Sequence, residues 1–317
     1  MSNTSTAPHP HYDRLIAAAR ARPPLRVAVV HPVNAVAVAA AIESERMGLT
    51  VPVLVGPKAR IETAMAEAGL AAGRLPIVDA PHSHASAEAA VAMALKGEVD
   101  ALMKGSLHTD ELMGAVVRRE GGLRTSRRIS HCFVMDVPGH EQPLIISDAA
   151  INIAPTLEEK VDIVQNAIDL AHALHLPEVR VAILSSMEVV NPKVPSTLDA
   201  AALCKMADRG QITGAVLDGP LAMDNAIDAE AARIKGIVSP VAGRADVLIV
   251  PDLDAGNMLA KSLTFLAGAY AAGIVLGAKV PVILTSRADS EAARLASCAV
   301  ASMLALAARD QRIKAVG

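Results

Sequence analysis

Residues 26–56 read RVAVVHPVNAVAVAAAIESERMGLTVPVLVG, and this stretch decides the fold class. It opens with an apolar run at 26–31, continues through an Ala-rich segment with helical spacing, and ends with a second apolar run at 51–56. Continuous apolar runs separated by helices are typical of parallel strands that are covered on both faces. The stretch therefore predicts a strand–helix–strand unit.

The same alternation extends outward over the whole chain. It predicts further strands at 75–80, 99–104, 129–137, 143–148, 179–186, 212–218, 246–252, 273–277 and 280–286. This order predicts an α/β protein with mostly parallel sheets. Residues 129–148 break the rhythm, because the Pro138-Gly139 turn leaves no room for a helix, and we expect an antiparallel hairpin there at a crossover between two lobes. The uncharged stretch 262–278 is interrupted by glycines and predicts helix, turn and strand, with no membrane span.

The composition excludes several classes of partner. Hydrophobic residues make up 52% of the 317 residues, yet the chain has two Phe, two Tyr and no Trp, which disfavours base stacking on nucleic acid. The formal charge of −3 argues against a polyanionic partner. Three separated cysteines and a polar N-terminus favour a cytoplasmic protein with reduced thiols and no metal site, with Cys132 as a pocket-lining candidate.

Polar residues follow the strand predicted at 99–104. The turn contains Lys104, Gly105 and Ser106, and His108 and Thr109 open the next helix. Gly lets the backbone approach a ligand, Lys adds a positive charge and a helix N-terminus presents free N–H groups, so this turn predicts an anion cradle. The alternative is local structure alone, with Ser106 as an N-cap and His108 as an exposed residue of the first turn.

Other predicted strand ends carry similar residues. Since ligands bind at the carboxyl ends of the strands in open α/β sheets, these residues are expected to converge. The candidates are Ser130, Asp148, Asn152, Ser185, Asp218, Asn257, Lys261, Ser286 and Arg287. Five arginines between 118 and 128 either contact phosphate groups of a ligand or form a solvated loop. For each polar residue at a strand end, the alternative to ligand binding is a structural role in a turn or a helix cap.

Five motifs carry a resemblance to a known family. DALMKGSLHTDELM, ISDAAINIAPTLEEK, LDGPLAMDNAI, PDLDAGNMLAKSL and VPVILTSRADS occur in this order. Together they resemble the phosphate acetyl/butyryl transferases, above all the butyryl branch and the transferase portion of bifunctional enoyl-CoA hydratase/phosphate acetyltransferases. The resemblance covers nearly the whole chain from Arg26.

The resemblance implies a two-lobed fold like that of isocitrate and isopropylmalate dehydrogenases, with the active site in the interlobe cleft. We expect residues 1–138 with 287–317 to form one lobe and 139–286 the other. The implied enzyme is a homodimer, possibly working with a fused or separate enoyl-CoA hydratase. It converts acyl-CoA and inorganic phosphate to acyl phosphate and coenzyme A without metal or a tightly bound cofactor. Arg287 would grip phosphate or the acyl group, and Ser286 would hydrogen-bond the transition state.

One position departs from the family pattern. The acetyl-transferring branch has an acidic residue about two helical turns after the Ser-Arg pair, where this chain has Ala293, with Asp289 and Glu291 nearby. A thiol pKa near 8.5 makes thiolate a good leaving group without that acid, and the departure favours an acyl chain longer than acetyl. The rival functions are an NAD(P)-dependent, metal-assisted dehydrogenase, for which no Gly-x-Gly-x-x-Gly or carboxylate trio is found, and a non-catalytic acyl-CoA or phosphate sensor.

Overall fold

The computed structural model describes residues 9–71, 73–285 and 289–316. Helices and strands alternate along most of the chain, as the sequence predicts. The helices are α1 Pro10–Arg20, α2 Ala35–Arg46, α3 Lys58–Glu67, α4 Ser83–Leu95, α5 Thr109–Val116, α6 Leu157–Ala173, α7 Pro195–Asp208, α8 Met223–Ile227, α9 Ala229–Ile234, α10 Leu253–Leu266 and α11 Glu291–Val316. The strands are β1 Leu25–Val30, β2 Thr50–Gly56, β3 Ile77–Asp79, β4 Ala101–Lys104, β5 Ser130–Asp136, β6 Leu144–Ser147, β7 Arg180–Leu184, β8 Val216–Leu221, β9 Val247–Ile249, β10 Tyr270–Leu276 and β11 Val282–Ile283.

The chain divides into two compact units. The flanking unit consists of Asp13–Arg127 and Ala272–Gly317, and the central unit consists of Met1–Tyr12 and Arg128–Ala271. The sequence analysis instead expects boundaries at 138/139 and 286/287. The observed boundaries lie earlier because the β5–β6 hairpin joins the central unit through the pairing of β6 with β9, while β11 pairs with β4 of the flanking unit.

The sheet of the flanking unit has the strand order β3-β2-β1-β4-β11-β10, with residues 272–276 of β10 belonging to this unit. All neighbouring pairs are parallel except β10–β11. β1 is buried at every residue but Arg26, as expected for a strand covered on both faces. Helix α4 packs on β1 and β2, and α11 packs on β1, β11 and α2.

The sheet of the central unit has the order β5-β6-β9-β7-β8. β5 and β6 form the predicted antiparallel hairpin, and the remaining pairs are parallel. A core of small and aliphatic side chains, including Leu144, Ile146 and Leu248, fills the unit. The fold class predicted from the sequence, α/β with mostly parallel strands, is therefore confirmed.

The two longest apolar stretches both have a place in the fold. Residues 262–278 form the end of α10, a turn at Gly268 and strand β10, as predicted. Residues 291–308 of α11 are long and apolar enough to cross a membrane, with a mean hydropathy of 1.4, and 67% of them are buried. Burial within the protein accounts for their apolar character.

Candidate functional site

Three adjacent strands of the flanking unit end at one edge of its sheet. β1, β4 and β11 lie side by side and run parallel, with Val30 paired to Lys104 and Ile283 paired to Met103. Their carboxyl ends are therefore followed at the same edge by His31, by the Lys104–Ser106 turn and by Thr285. This is the edge at which open α/β sheets bind ligands.

The Lys104–Ser106 turn is fastened to the end of β1. The backbone N–H groups of Gly105 and Ser106 donate to the carbonyls of Val30 and His31 at 2.9 and 3.0 Å. A Cβ on Gly105 would lie 2.4 Å from the Val30 oxygen. The absence of a side chain at Gly105 is thus required by the neighbouring strand, whereas the sequence analysis attributes it to the approach of a ligand.

Helix α5 begins after His108, so His108 rather than Ser106 occupies the N-cap position. Its backbone N–H donates to the Glu111 carboxylate at 2.8 Å, and the Ser83 hydroxyl donates to the same carboxylate at 2.5 Å. The Ser83 hydrogen bond, with that from the His108 backbone, holds the pKa of Glu111 below its ordinary value. His108 is exposed, as in the structural alternative, and Thr109 is the first residue of the helix.

His31 is absent from the candidates named from sequence. It directly follows β1, is 6% exposed and has a left-handed backbone with φ of 55°. Its Nδ1 lies 3.1 Å from the Ser86 hydroxyl. The signal that selects the other candidates, a polar residue after a buried strand, also selects His31.

At the end of β11, the guanidinium of Arg294 in α11 donates to the Thr285 hydroxyl at 3.2 Å, and both side chains are buried. The predicted catalytic residues, Ser286 and Arg287, lie outside the described residues. Ala293, the position that departs from the family pattern, is 6% exposed.

The central unit brings three candidates together, because the start of β5 lies against the end of β6. These are Ser130, Asp148 and Asn152, all buried. The Asp148 carboxylate accepts hydrogen bonds from the backbone N–H groups of Ala150, Ile151, His131 and Asn152 at 2.9–3.3 Å. The Asn152 amide also donates to it at 2.5 Å. Asp148 therefore organises the turn that follows β6.

Arg128 ties this cluster to helix α6. Its Nε donates to Asn152 Oδ1 at 2.8 Å, and its guanidinium also pairs with Glu159. The Asn166 amide donates to both the Arg128 carbonyl and the Ser130 hydroxyl at 2.8 Å. Arg118, from the same arginine-rich segment, pairs with Glu88 at 2.6 Å. Arg118 and Arg128 thus have carboxylate partners within their own units.

The other candidates occupy three different places. The Ser185 hydroxyl at the end of β7 lies 2.8 Å from that of Ser196 in α7. In α10, Asn257 donates to the Ala149 carbonyl at 3.1 Å, next to the Asp148 turn, and Lys261 is exposed.

The expected position of Asp218 after a strand is wrong. Asp218 lies inside β8, opposite Ala182, and its carboxylate accepts from the Gly219 N–H at 2.8 Å. Gly219 and Pro220 continue the strand, whereas the sequence analysis ends it at Asp218. Proline is tolerated there because β8 is the last strand of the sheet order. The backbone N–H that proline lacks is not needed for hydrogen bonds to a further strand on that side.

Comparison with known proteins gives a consistent result. The family described as "Phosphate acetyl/butaryl transferase" matches residues 83–302. A phosphate acetyltransferase of Rhizobium meliloti is 64% identical over 305 residues, which cover 96% of this chain and 96% of that protein. A phosphate butyryltransferase of Clostridium acetobutylicum is 37% identical, covering 93% of this chain and 98% of its own. A solved branched-chain phosphotransacylase from Enterococcus faecalis V583 superposes with a TM-score of 0.79 at 29% identity, covering 89% of this chain and 99% of its own.

Proposed function

This chain belongs to the phosphate acetyl/butyryl transferase family, and on that premise we propose which of its residues carry the reaction, which acyl group it transfers and how it assembles. It is an acyltransferase that converts acyl-CoA and inorganic phosphate to acyl phosphate and coenzyme A. The observation that carries this conclusion is the 64% identity to a phosphate acetyltransferase over 96% of both chains. The dehydrogenase and sensor alternatives are not favoured.

We propose that the reaction takes place at the β1–β4–β11 edge. Phosphate has to be held against the thioester carbonyl, and the oxyanion that develops there has to be stabilised. Arg287 grips the phosphate and Ser286 donates a hydrogen bond to the oxyanion, as the family resemblance implies. Support comes from the described residues that precede them in sequence, because β11 ends at Ile283 and lies next to β4, which leads into the Lys104–Ser106 turn.

Arg287→Ala tests this assignment. Loss of one guanidinium that binds the reacting group is expected to lower turnover by roughly 10²–10³-fold or more. The assay follows phosphate-dependent loss of thioester absorbance, with Arg209→Ala as the control, since Arg209 is an exposed residue that follows α7. Near-wild-type turnover in the Arg287 variant would move the phosphate site elsewhere.

We propose acetyl-CoA as the preferred substrate, against the longer acyl chain that Ala293 favours. The support is the higher identity to a protein named phosphate acetyltransferase, 64%, than to one named phosphate butyryltransferase, 37%. A chain-length series from acetyl-CoA to hexanoyl-CoA, assayed with phosphate and monitored for free thiol, is expected to give the highest kcat/KM for acetyl-CoA. A maximum at butyryl-CoA would restore the earlier expectation.

The reaction is proposed to need no metal ion and no tightly bound cofactor. The chemistry supports this, because phosphate is already an anionic nucleophile and thiolate a good leaving group. EDTA at millimolar concentration is expected to leave the rate unchanged. Inhibition that is reversed by an added divalent cation would overturn the proposal.

A homodimer is the proposed assembly, and the outward face of α10 supports it. Met258, Phe265 and Leu266 are 62%, 71% and 87% exposed, and Phe265 is one of two phenylalanines in the chain. Burial of such side chains against a second copy would remove apolar surface from water. Phe265→Glu is expected to shift the mass measured by light scattering from dimer to monomer, and a dimeric variant would exclude this face.

The proposed compartment is the cytoplasm. Cys132, Cys204 and Cys298 are free, and burial raises the pKa of each thiol to about 12, which keeps it protonated and unreactive. Cys132 is fully buried, so its thiol is not exposed to a ligand.

An enoyl-CoA hydratase as a fused or separate partner is also a proposal, which co-purification of the two activities would test.

A further inference from the structure

The position of His31 in the fold and the orientation of its imidazole are both fixed by hydrogen bonds. It follows β1 at the edge where the Lys104–Ser106 turn crosses, and the Ser106 N–H donates to its carbonyl at 3.0 Å. β4 lies between β1 and β11, so His31 is two strands from Thr285, which is about 10 Å at the usual strand spacing. The imidazole therefore belongs to the edge to which we assign the reaction.

The hydrogen bonds of Ser86 fix the tautomer of this imidazole. The Ser86 hydroxyl donates its single proton to the His82 carbonyl at 2.8 Å. Its oxygen must then accept from His31 Nδ1, 3.1 Å away. The neutral ring consequently carries its proton on Nδ1 and its lone pair on Nε2. Among the described residues, no hydrogen-bond partner of Nε2 is found.

The surroundings also keep the ring neutral. Burial lowers the pKa of His31 below its ordinary value, and the positive charge of Arg60 in α3 and the proximity of His82 act in the same direction. The Glu111 carboxylate in α5 acts in the opposite direction but does not reverse the shift. The buried Lys104, on the neighbouring strand β4, is a further ionisable group at this edge. A neutral imidazole with an open Nε2 is a proton acceptor at neutral pH.

We propose that His31 Nε2 transfers the proton that moves between phosphate and the CoA thiol. This inference rests on the proposed function. In the direction of acyl phosphate formation, Nε2 accepts a proton from H₂PO₄⁻ as a phosphate oxygen forms its bond to the thioester carbon. The carbon–sulfur bond then breaks, and Nε2–H returns that proton to the CoA thiolate. In the reverse direction, Nε2 takes the thiol proton as sulfur attacks acyl phosphate.

His31→Asn is the test, because it removes Nε2 and little else. Asn tolerates a left-handed backbone, and its amide can still donate to Ser86. The expected result is a kcat lowered by roughly 10²–10³-fold with KM for acyl-CoA within a few-fold of wild type, since general acid–base catalysis contributes about 10²–10⁴-fold. In the direction that consumes CoA, the variant's rate should rise with pH up to the thiol pKa near 8.5, whereas the wild-type rate levels off earlier.

His175→Asn is the matched control, because it makes the same substitution at an exposed histidine with φ of 60° in the central unit. It is expected to leave kcat and the pH profile unchanged. A His31→Asn variant with wild-type kcat and pH profile would overturn the inference. Wild-type protein that shows no phosphate-dependent thioester loss would instead overturn the proposed function.

Urea unfolding shows whether His31→Asn still folds. If it does not fold, a second variant tests the inference. Ser86→Ala keeps the imidazole but removes the acceptor that fixes its tautomer. We expect kcat to fall several-fold and the pH profile to shift in a variant that still unfolds cooperatively, with a urea midpoint lowered by the loss of the buried Ser86 hydrogen bonds. An unchanged kcat and pH profile in this folded variant would contradict the inference.

Discussion

At the scale of single residues, Gly105 lies in a turn whose sequence resembles a ligand-binding motif, yet the packing of the fold itself requires a glycine there. A methyl group at this position would collide with the Val30 carbonyl, which belongs to the backbone of a central strand. Gly105→Ala is expected to lower the free energy of unfolding by roughly 1–3 kcal/mol through overpacking. Gly114→Ala, inside α5 with no atom within 4 Å of the added carbon, should instead raise it by about 0.5–1 kcal/mol. Urea denaturation of both variants measures the difference, and equal effects would contradict it.

Asp148 is expected to act mainly through structure. Asp148→Asn replaces one carboxylate oxygen by an NH₂ group that faces N–H donors, so we expect a loss of roughly 2–3 kcal/mol in unfolding free energy. Asp252→Asn is the control, because Asp252 is the N-cap of α10, where Asn and Asp are about equally good. If both variants keep the wild-type urea midpoint, the Asp148 carboxylate does not stabilise the turn that follows β6.

The sequence predicted these residues better than it predicted their partners. The position of Ser130, Asp148 and Asn152 near the ends of predicted strands selects them as candidates, and the structure brings them together. The bond from Asn166 to Ser130 spans 36 positions, and the one from Asn257 to Ala149 spans 108. Spacing within one element carries no information about such contacts. The same strand-end rule applies to His31, which is absent from the candidates named from sequence.

At the scale of elements, helix α11 contains two buried serines, and replacing each by alanine is expected to change the stability of the protein in a different way. The Ser297 hydroxyl accepts from the Gly273 N–H at 3.0 Å and donates to the Ala293 carbonyl, so it joins α11 to β10. Ser297→Ala should cost roughly 1–3 kcal/mol, because it leaves that buried N–H without an acceptor.

Ser302 lies in the same helix and is 1% exposed, and its hydroxyl has no hydrogen-bond partner within the described ranges of the chain. Ser302→Ala is therefore expected to leave stability unchanged or to raise it by up to about 1 kcal/mol. Thermal or urea unfolding of the two alanine variants tests the contrast, and a larger loss in Ser302→Ala would refute it.

Every predicted strand overlaps an observed strand, because buried parallel strands have a strong apolar signature. The antiparallel β5–β6 hairpin was also predicted, since its short connection leaves no alternative. The sequence analysis missed the antiparallel pairing of β10 with β11 and the passage of β8 through Gly219 and Pro220. Both depend on which strand lies alongside, and no local pattern records this.

At the scale of the whole molecule, buried histidines make stability depend on pH. Burial lowers the pKa of His31, His131 and His140, and that of fully buried His131 falls to about 4. Below about pH 6.5 the unfolded chain binds the proton that folded His131 refuses, so stability falls as the pH decreases from about 6.5 to about 4. For His131 alone this amounts to about 2 kcal/mol between pH 7 and pH 5.

His131→Leu should reduce that loss by about the same amount, since leucine fills the site without titrating. Urea midpoints at pH 7 and pH 5 measure the slope, and His175→Asn, an exposed histidine, serves as the control. A variant with the wild-type slope would show that His131 binds its proton equally well in the folded and unfolded protein.

The strand order of the flanking unit also has a consequence for biosynthesis. β11 lies between β4 and β10, yet about 180 residues of chain separate it from β4. At about 5–20 residues per second, a ribosome needs roughly 10–40 s to make that interval. During this time β4 has one side without its final neighbour, so the nascent chain carries an exposed sheet edge, which is a template for pairing with other strands, while the central unit is already being made.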